Sequence, residues 1–175
     1  MKPKDASGMA LLMALALPLW AQEHRVLAPQ DVTEAALIEA LTPGANVGTR
    51  SIRVEPDTPA AKPASASLLI TFETNSARLT QRARQSLGVV GQALSSAKLA
   101  PFRFAIEGHA DPRGAPAANL QLSQARAESV RSYLVSHTHI DDGRLEAVGK
   151  GDRELLNKSV PTAPENRRVT IVNLE

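Results

Sequence analysis

The chain has 175 residues, 43% of them hydrophobic and 3% aromatic, with 20 Lys and Arg against 18 Asp and Glu. That is apolar matter enough for one packed domain with a leader or tail. The near balance of charge and the single Trp and Tyr leave no basic stripe and no stacking platform, so nucleic acid is not expected as a partner. The lack of cysteine excludes disulfides, thiol catalysis, Cys-ligated zinc and a lipid-modified Cys, so any attachment to wall or membrane is expected to be non-covalent.

Lys2 and Lys4 precede a short apolar run, residues 9–20. This pattern reads as a secretory signal with cleavage after Ala21. The run is shorter than the roughly 20 residues that span a bilayer, and no transmembrane segment is expected after cleavage. The competing reading is a buried N-terminal helix. Residues 33–41 carry a capping Thr33 and an apolar face, which predicts a short helix stopped by Pro43 and Gly44. Residues 52–54 alternate like an edge strand. Pro56, Pro59 and Pro63, separated by Ala and Ser, mark an extended linker. The expected division is therefore a signal over 1–21, a tail and linker over 22–66, and a folded domain over 67–175.

Within that domain, the β-branched and aliphatic run 67–72 predicts a strand. Thr80 can cap a helix whose stripe is Ala83, Leu87, Val90, Leu94 and Ala97. Gly88 and Gly91 beside that stripe suit a close approach to a sheet. Residues 102–108 alternate cleanly, with Phe102, Phe104 and Ile106 inward. A second helix is expected over 119–137, with Leu120, Ala127, Val130 and Leu134 as its stripe. Strands follow over 144–148 and 168–174. The order β-α-β-α-β-β predicts an α+β fold, a two-layer sandwich with both helices on one face of a mixed sheet. No internal repeat is visible.

Residues 108–114 read G-H-A-D-P-R-G, and residues 119–127 read N-L-Q-L-S-Q-A-R-A. The first stretch ends a strand and turns. The second opens a helix in which Asn119 and Arg126, seven positions apart, lie within roughly 20° of one face. Long helical side chains lean toward the N-terminus, which aims Arg126 at the turn holding Asp111. One carboxylate, one amide and one guanidinium would then suit a ligand with an ammonium and a carboxylate side by side. Asp111 equally suits a turn-capping role, and Asn119 suits helix capping as well as ligand contact. Arg113 is placed either to add charge or to be solvated.

These residues resemble the OmpA-like peptidoglycan-binding domain. Three more blocks match in order: residues 70–80 (I-T-F-E-T-N-S-A-R-L-T), Gly149-Lys150-Gly151-Asp152, and Asn166-Arg167-Arg168-Val169. The resemblance runs from about residue 66 to the end. It departs at Glu73, where the family usually has Asp after the first-strand Phe. The resemblance implies that Asp111 accepts bonds from the side-chain ammonium of meso-diaminopimelate in the peptidoglycan stem peptide, and that Arg126 holds the adjacent carboxylate. It makes Glu73 and Asn75 further candidates, because the family's equivalent loop lines the same groove; a simple turn role for Asn75 competes. For Asn166, Arg167 and Arg168, a strand-start role with salt bridges is expected ahead of ligand contact.

His109 with Asp111 invites a metal or hydrolase reading, yet no third ligand follows at useful spacing, whereas a catalytic zinc usually needs three. No G-x-S-x-G, P-loop or paired catalytic carboxylates are visible. The expectation is a non-enzyme without cofactor or metal. It would bind peptidoglycan in the periplasm at the cell wall or outer membrane, with an envelope protein as a further partner. The alternative is an envelope protein–protein adaptor using the same fold.

Overall fold

The computed structural model describes residues 26–44, 63–73 and 75–175. The expected signal, the strand at 52–54, and Pro56 and Pro59 lie outside the described residues. The elements are β1 (Val26–Leu27), α1 (Glu34–Leu41), β2 (Ser65–Leu68), α2 (Gln81–Ser95), β3 (Phe104–His109), α3 (Pro116–Thr138), β4 (Leu145–Gly151) and β5 (Val169–Asn173). Among them, no helix is long and apolar enough to cross a membrane.

Two helices start where capping chemistry puts them. Thr33 accepts from the Ala36 N–H, and Thr80 accepts from the Ala83 N–H. The third departs from expectation. Ala115 is its N-cap and Pro116 occupies its first position, where the missing N–H costs nothing and the fixed φ fits a helix. Asn119 is thus inside the first turn and donates its own N–H to the Ala115 carbonyl at 3.0 Å, so it is not the helix cap.

The strands form one mixed sheet in the order β1-β2-β5-β3-β4. β5 runs antiparallel to both β2 and β3, while β3 and β4 pair in parallel across the α3 crossover. The strand expected over 67–72 leaves the sheet after Leu68. The chain kinks through an Ile70 N–H to Leu68 carbonyl bond, and Phe72 bridges Leu79 across a loop.

One face of the sheet buries Leu68, Ile106, Val169 and Ile171 against Leu87, Val90 and Leu94 of α2 and Ala127, Val130 and Leu134 of α3. Leu37 and Leu41 of α1 are fully buried in the same core, and Asn173 Nδ2 donates to the Leu41 carbonyl at 2.9 Å. Residues 26–44 therefore share the core of the folded unit. α3 lies unusually close to β3 and β4, because a Cβ at Gly108 would collide with the Ser123 carbonyl and one at Gly149 with the Gln124 backbone. Gly91 faces Thr138 of α3 rather than the sheet, and Gly88 has open space around its Cβ position.

The segment between β4 and β5 is folded around Asn166, which is fully buried. Its Oδ1 accepts from the Leu156 and Asn157 N–H groups, and its Nδ2 donates to the Asn157 and Pro161 carbonyls. This clip fixes where Arg167 enters the site described next.

Candidate functional site

The β3–α3 turn buries Asp111, which is 5% exposed. Such a carboxylate needs charged or hydrogen-bonding partners, and Asp111 has two guanidiniums. Arg113 donates to both of its oxygens, through Nε at 3.1 Å to Oδ1 and Nη2 at 2.7 Å to Oδ2. Arg167 Nη1 donates to Oδ2 at 2.7 Å. The Arg113 N–H also donates to Oδ1, closing the turn. The Arg113 bond, opposed by burial and aided by Arg167, lowers the carboxyl from its ordinary 3.8 to about 2. The turn-capping bond foreseen for Asp111 is present, and its charge is met by Arg113 and Arg167 of the chain itself.

Arg126 leans toward the N-terminus of α3 as expected, but the loop after β2 intercepts it. Its Nε donates to the Ser76 carbonyl at 3.1 Å, and its guanidinium carbon lies 4.9 Å from the centre of the Phe72 ring. It does not bond Asp111. Burial and the nearby Arg167 charge lower its pKa, with Asp111 acting in the opposite sense. Arg126 has no carboxylate partner among the described residues.

Asn119 is buried and donates through Nδ2 to Asp152 Oδ2 at 3.0 Å, tying α3 to the turn after β4. Glu73 and Asn75 are exposed in the 73–79 loop. Glu73 pairs loosely with Arg78 at 3.9 Å, and Asn75 adopts the left-handed region with φ 49°. Neither lines the cavity beside Arg126. That cavity, of about 270 Å³, lies between the 69–72 segment and the start of β5, with Phe72, His109, Arg126, Arg167 and Arg168 among its walls. Arg126, a ligand candidate in the sequence, is one of the walls of this cavity; its neighbours Phe72 and the Ser76 carbonyl, and Asp111 as the carboxylate that pairs with Arg167, are set by tertiary contacts that no sequence window contains.

His109 is buried, and neither ring nitrogen has a hydrogen-bond partner among the described residues. Burial, reinforced by Arg168 and Lys150, lowers its pKa from 6.5 to about 3, so the ring is neutral. His109, Glu107 and Glu154 bring ligand atoms within 4.8 Å of one another. The Lys150 ammonium sits at 3.1 Å from Glu107 and 3.2 Å from Glu154, so both carboxylates already share an internal cation. The trio joins His109 to Glu107 and Glu154 and leaves out Asp111, the residue that the sequence sets beside it.

Comparison with known proteins adds to this geometry. The OmpA family matches residues 71–168. A peptidoglycan-associated lipoprotein of Rhizobium meliloti is 30% identical over 173 residues, covering 94% of this chain and 85% of the relative. Outer membrane protein Omp38 of Acinetobacter baumannii is 36% identical over 104 residues, covering 58% of this chain, which spans only 29% of that protein's length. Among solved structures, the peptidoglycan-associated lipoprotein of Burkholderia pseudomallei superposes with a TM-score of 0.51 at 30% identity, covering 68% of this chain and 96% of the other. The cell wall anchor of the type VI secretion system from Pseudomonas aeruginosa gives 0.52 at 30% identity, with coverage of 63% and 81%. By this match, in both sequence blocks and fold, the chain belongs to the OmpA family.

Proposed function

We propose that this protein is a non-catalytic envelope module that holds peptidoglycan non-covalently, recognising the ammonium and carboxylate of meso-diaminopimelate in the stem peptide. It works in the periplasm, at the wall and outer membrane. The relatives named peptidoglycan-associated lipoprotein and cell wall anchor support this reading. The single observation that carries it is a pair of opposite charges at neighbouring places, Arg126 in the cavity wall and Asp111 bonded to Arg167 of the same wall. A buried Asp111 carboxylate can accept an ammonium, and an Arg126 guanidinium without a carboxylate of its own can accept an anion in two parallel bonds.

Asn119 serves the site by holding the turn after β4 against α3, and Glu73 and Asn75, exposed in the loop after β2, serve as outer contacts for a larger glycopeptide. The test is pull-down with purified sacculi. Wild type should co-sediment, free meso-diaminopimelate should compete, and cadaverine, which carries its ammoniums without any carboxylate, should not. Sedimentation that an Arg126→Ala variant matches would refute the assignment and leave the adaptor reading standing.

A further inference from the structure

Asp111 is already paired within the chain. Its Oδ2 has two guanidinium donors at 2.7 Å and its Oδ1 accepts two bonds from Arg113. A carboxylate with that many charged donors has little capacity left for another. A ligand ammonium therefore has to take the place of one arginine rather than add to the set.

The two arginines differ in what they can do once displaced. Arg113 is largely exposed and two residues from Asp111, so it would return to solvent. Arg167 reaches Asp111 from the far side of the site, held by the buried Asn166 next to it. It also lines the cavity that Arg126 lines, and the two cations disfavour one another there. An anion entering that cavity would meet two guanidiniums, of which one lacks a carboxylate and the other has just lost its own.

We propose that Arg167 is the specificity-determining residue of the site: it pairs with Asp111 when the site is empty and moves to the ligand carboxylate, beside Arg126, when the ligand ammonium takes its place. This inference rests on the peptidoglycan reading above. Its consequence is a count of ion pairs. Empty, the Asp111–Arg167 pair leaves Arg126 without a counter-charge. With a ligand carrying ammonium and carboxylate on one carbon, Arg113 and the ammonium face Asp111 while Arg126 and Arg167 share the ligand carboxylate, so no arginine lacks an anion to bond. An amine alone displaces Arg167 and strands two cations in one cavity. An acid alone reaches Arg126 but wins nothing at Asp111. The exchange thus selects zwitterions over either half, because stranded charges in a partly buried groove are costly.

The experiment titrates the full chain with meso-diaminopimelate, cadaverine and pimelate, which share a linear backbone but carry both groups, amines only or acids only. Wild type should bind meso-diaminopimelate by roughly tenfold or more over cadaverine. In Arg167→Ala that ratio should shrink by about tenfold, since Asp111 is freed for any amine while a carboxylate partner is lost. Arg167→Gln, which keeps the bulk and drops the charge, should do the same and serves if the alanine variant melts early. Arg103→Ala, an exposed arginine that pairs with Glu175 and is not among the cavity residues, should leave the ratio within about threefold of wild type. A folded Arg167 variant that binds meso-diaminopimelate with an unchanged ratio overturns the exchange alone. Failure of wild type to bind meso-diaminopimelate, or Asp111→Asn binding as wild type does, overturns both the exchange and the peptidoglycan reading.

Discussion

Arg167 Nη1 and Asp111 Oδ2 meet at 2.7 Å across 56 residues of sequence, and that bond ties the β3–α3 turn to the approach of β5. It joins the two halves of the groove without filling it. The same guanidinium borders the cavity in which Arg126 stands on Phe72 and the Ser76 carbonyl. Three segments far apart in sequence therefore share one charge pattern, and a change at any of them is read at the others.

Asp111 is the point where stability and binding are hardest to separate. A solvated groove carboxylate could be truncated with little effect on melting, but this one is buried and holds two arginines. Asp111→Ala should lose sacculus binding and also lower stability by about 1–3 kcal/mol, because its donors lose their acceptor. Asp111→Asn keeps the shape and one acceptor, so it should stay closer to wild type in thermal melting while still failing to sediment. Equal binding by a folded Asp111→Asn would exclude the charge-based assignment.

A second prediction concerns pH. His109 is neutral and buried in the folded chain, with its pKa lowered to about 3, whereas in the unfolded chain it titrates near 6.5. Between those values only the unfolded state gains the proton. Its contribution is complete above pH 6.5 and declines as pH falls toward 3, at up to about 1.4 kcal/mol per pH unit. Asp111 adds its own loss only lower, below its ordinary 3.8 and through about 2. Urea midpoints measured from pH 7 to 4.5 should fall for wild type and flatten in a His109→Gln variant. A parallel slope in both would assign the acid sensitivity elsewhere.

Much of this fold is legible in the sequence because local signals agree with tertiary packing. Thr33 and Thr80 cap the helices they precede, and the stripes of Leu87, Val90 and Leu94 and of Val130 and Leu134 are buried. α3 starts at Pro116 rather than Asn119, because both carry start signals three residues apart and the proline at the first position prevails. The placement of β5 between β2 and β3 is a non-local pairing that no window of sequence contains. At the site, the lean of Arg126 is a helix property and could be read. Its endpoint is not, because it depends on a loop fifty residues upstream that presents the Ser76 carbonyl.

The shared core leads to a third prediction, about where the folded unit begins. We propose that it starts near Val26 rather than at residue 67, since Leu37 and Leu41 are fully buried and β1 pairs with β2. Leu41→Ala should cost about 2–5 kcal/mol, as buried leucine truncations do. A chain beginning at residue 63 should melt well below one beginning at residue 22, by circular dichroism. Coincident melting curves would return α1 to the status of a dispensable tail.

Absence of catalysis is the fourth prediction. Among the described residues, the trio that could hold a metal, Glu107, His109 and Glu154, has the Lys150 ammonium on both of its carboxylates. Prolonged incubation of the protein with sacculi should release no soluble muropeptides beyond a buffer control. Release that a His109→Ala change abolishes would make the protein a wall hydrolase instead of a wall binder.

The last prediction isolates geometry from charge at Arg126. Its guanidinium carbon lies 4.9 Å from the centre of the Phe72 ring while Nε donates to the Ser76 carbonyl, which leaves the outer nitrogens for a ligand. Lysine at this position keeps the positive charge and can still donate to Ser76. It cannot present two parallel N–H groups, and it is a poorer partner for the ring. Arg126→Lys should therefore melt within a few degrees of wild type yet bind sacculi at least about tenfold more weakly, a loss of about 1.4 kcal/mol. Arg126→Ala removes charge as well and should bind more weakly still, by about 2–5 kcal/mol in total. The ordering wild type, lysine, alanine is the informative result. If lysine binds as wild type does, the groove reads charge alone, and the carboxylate is not held in a fork.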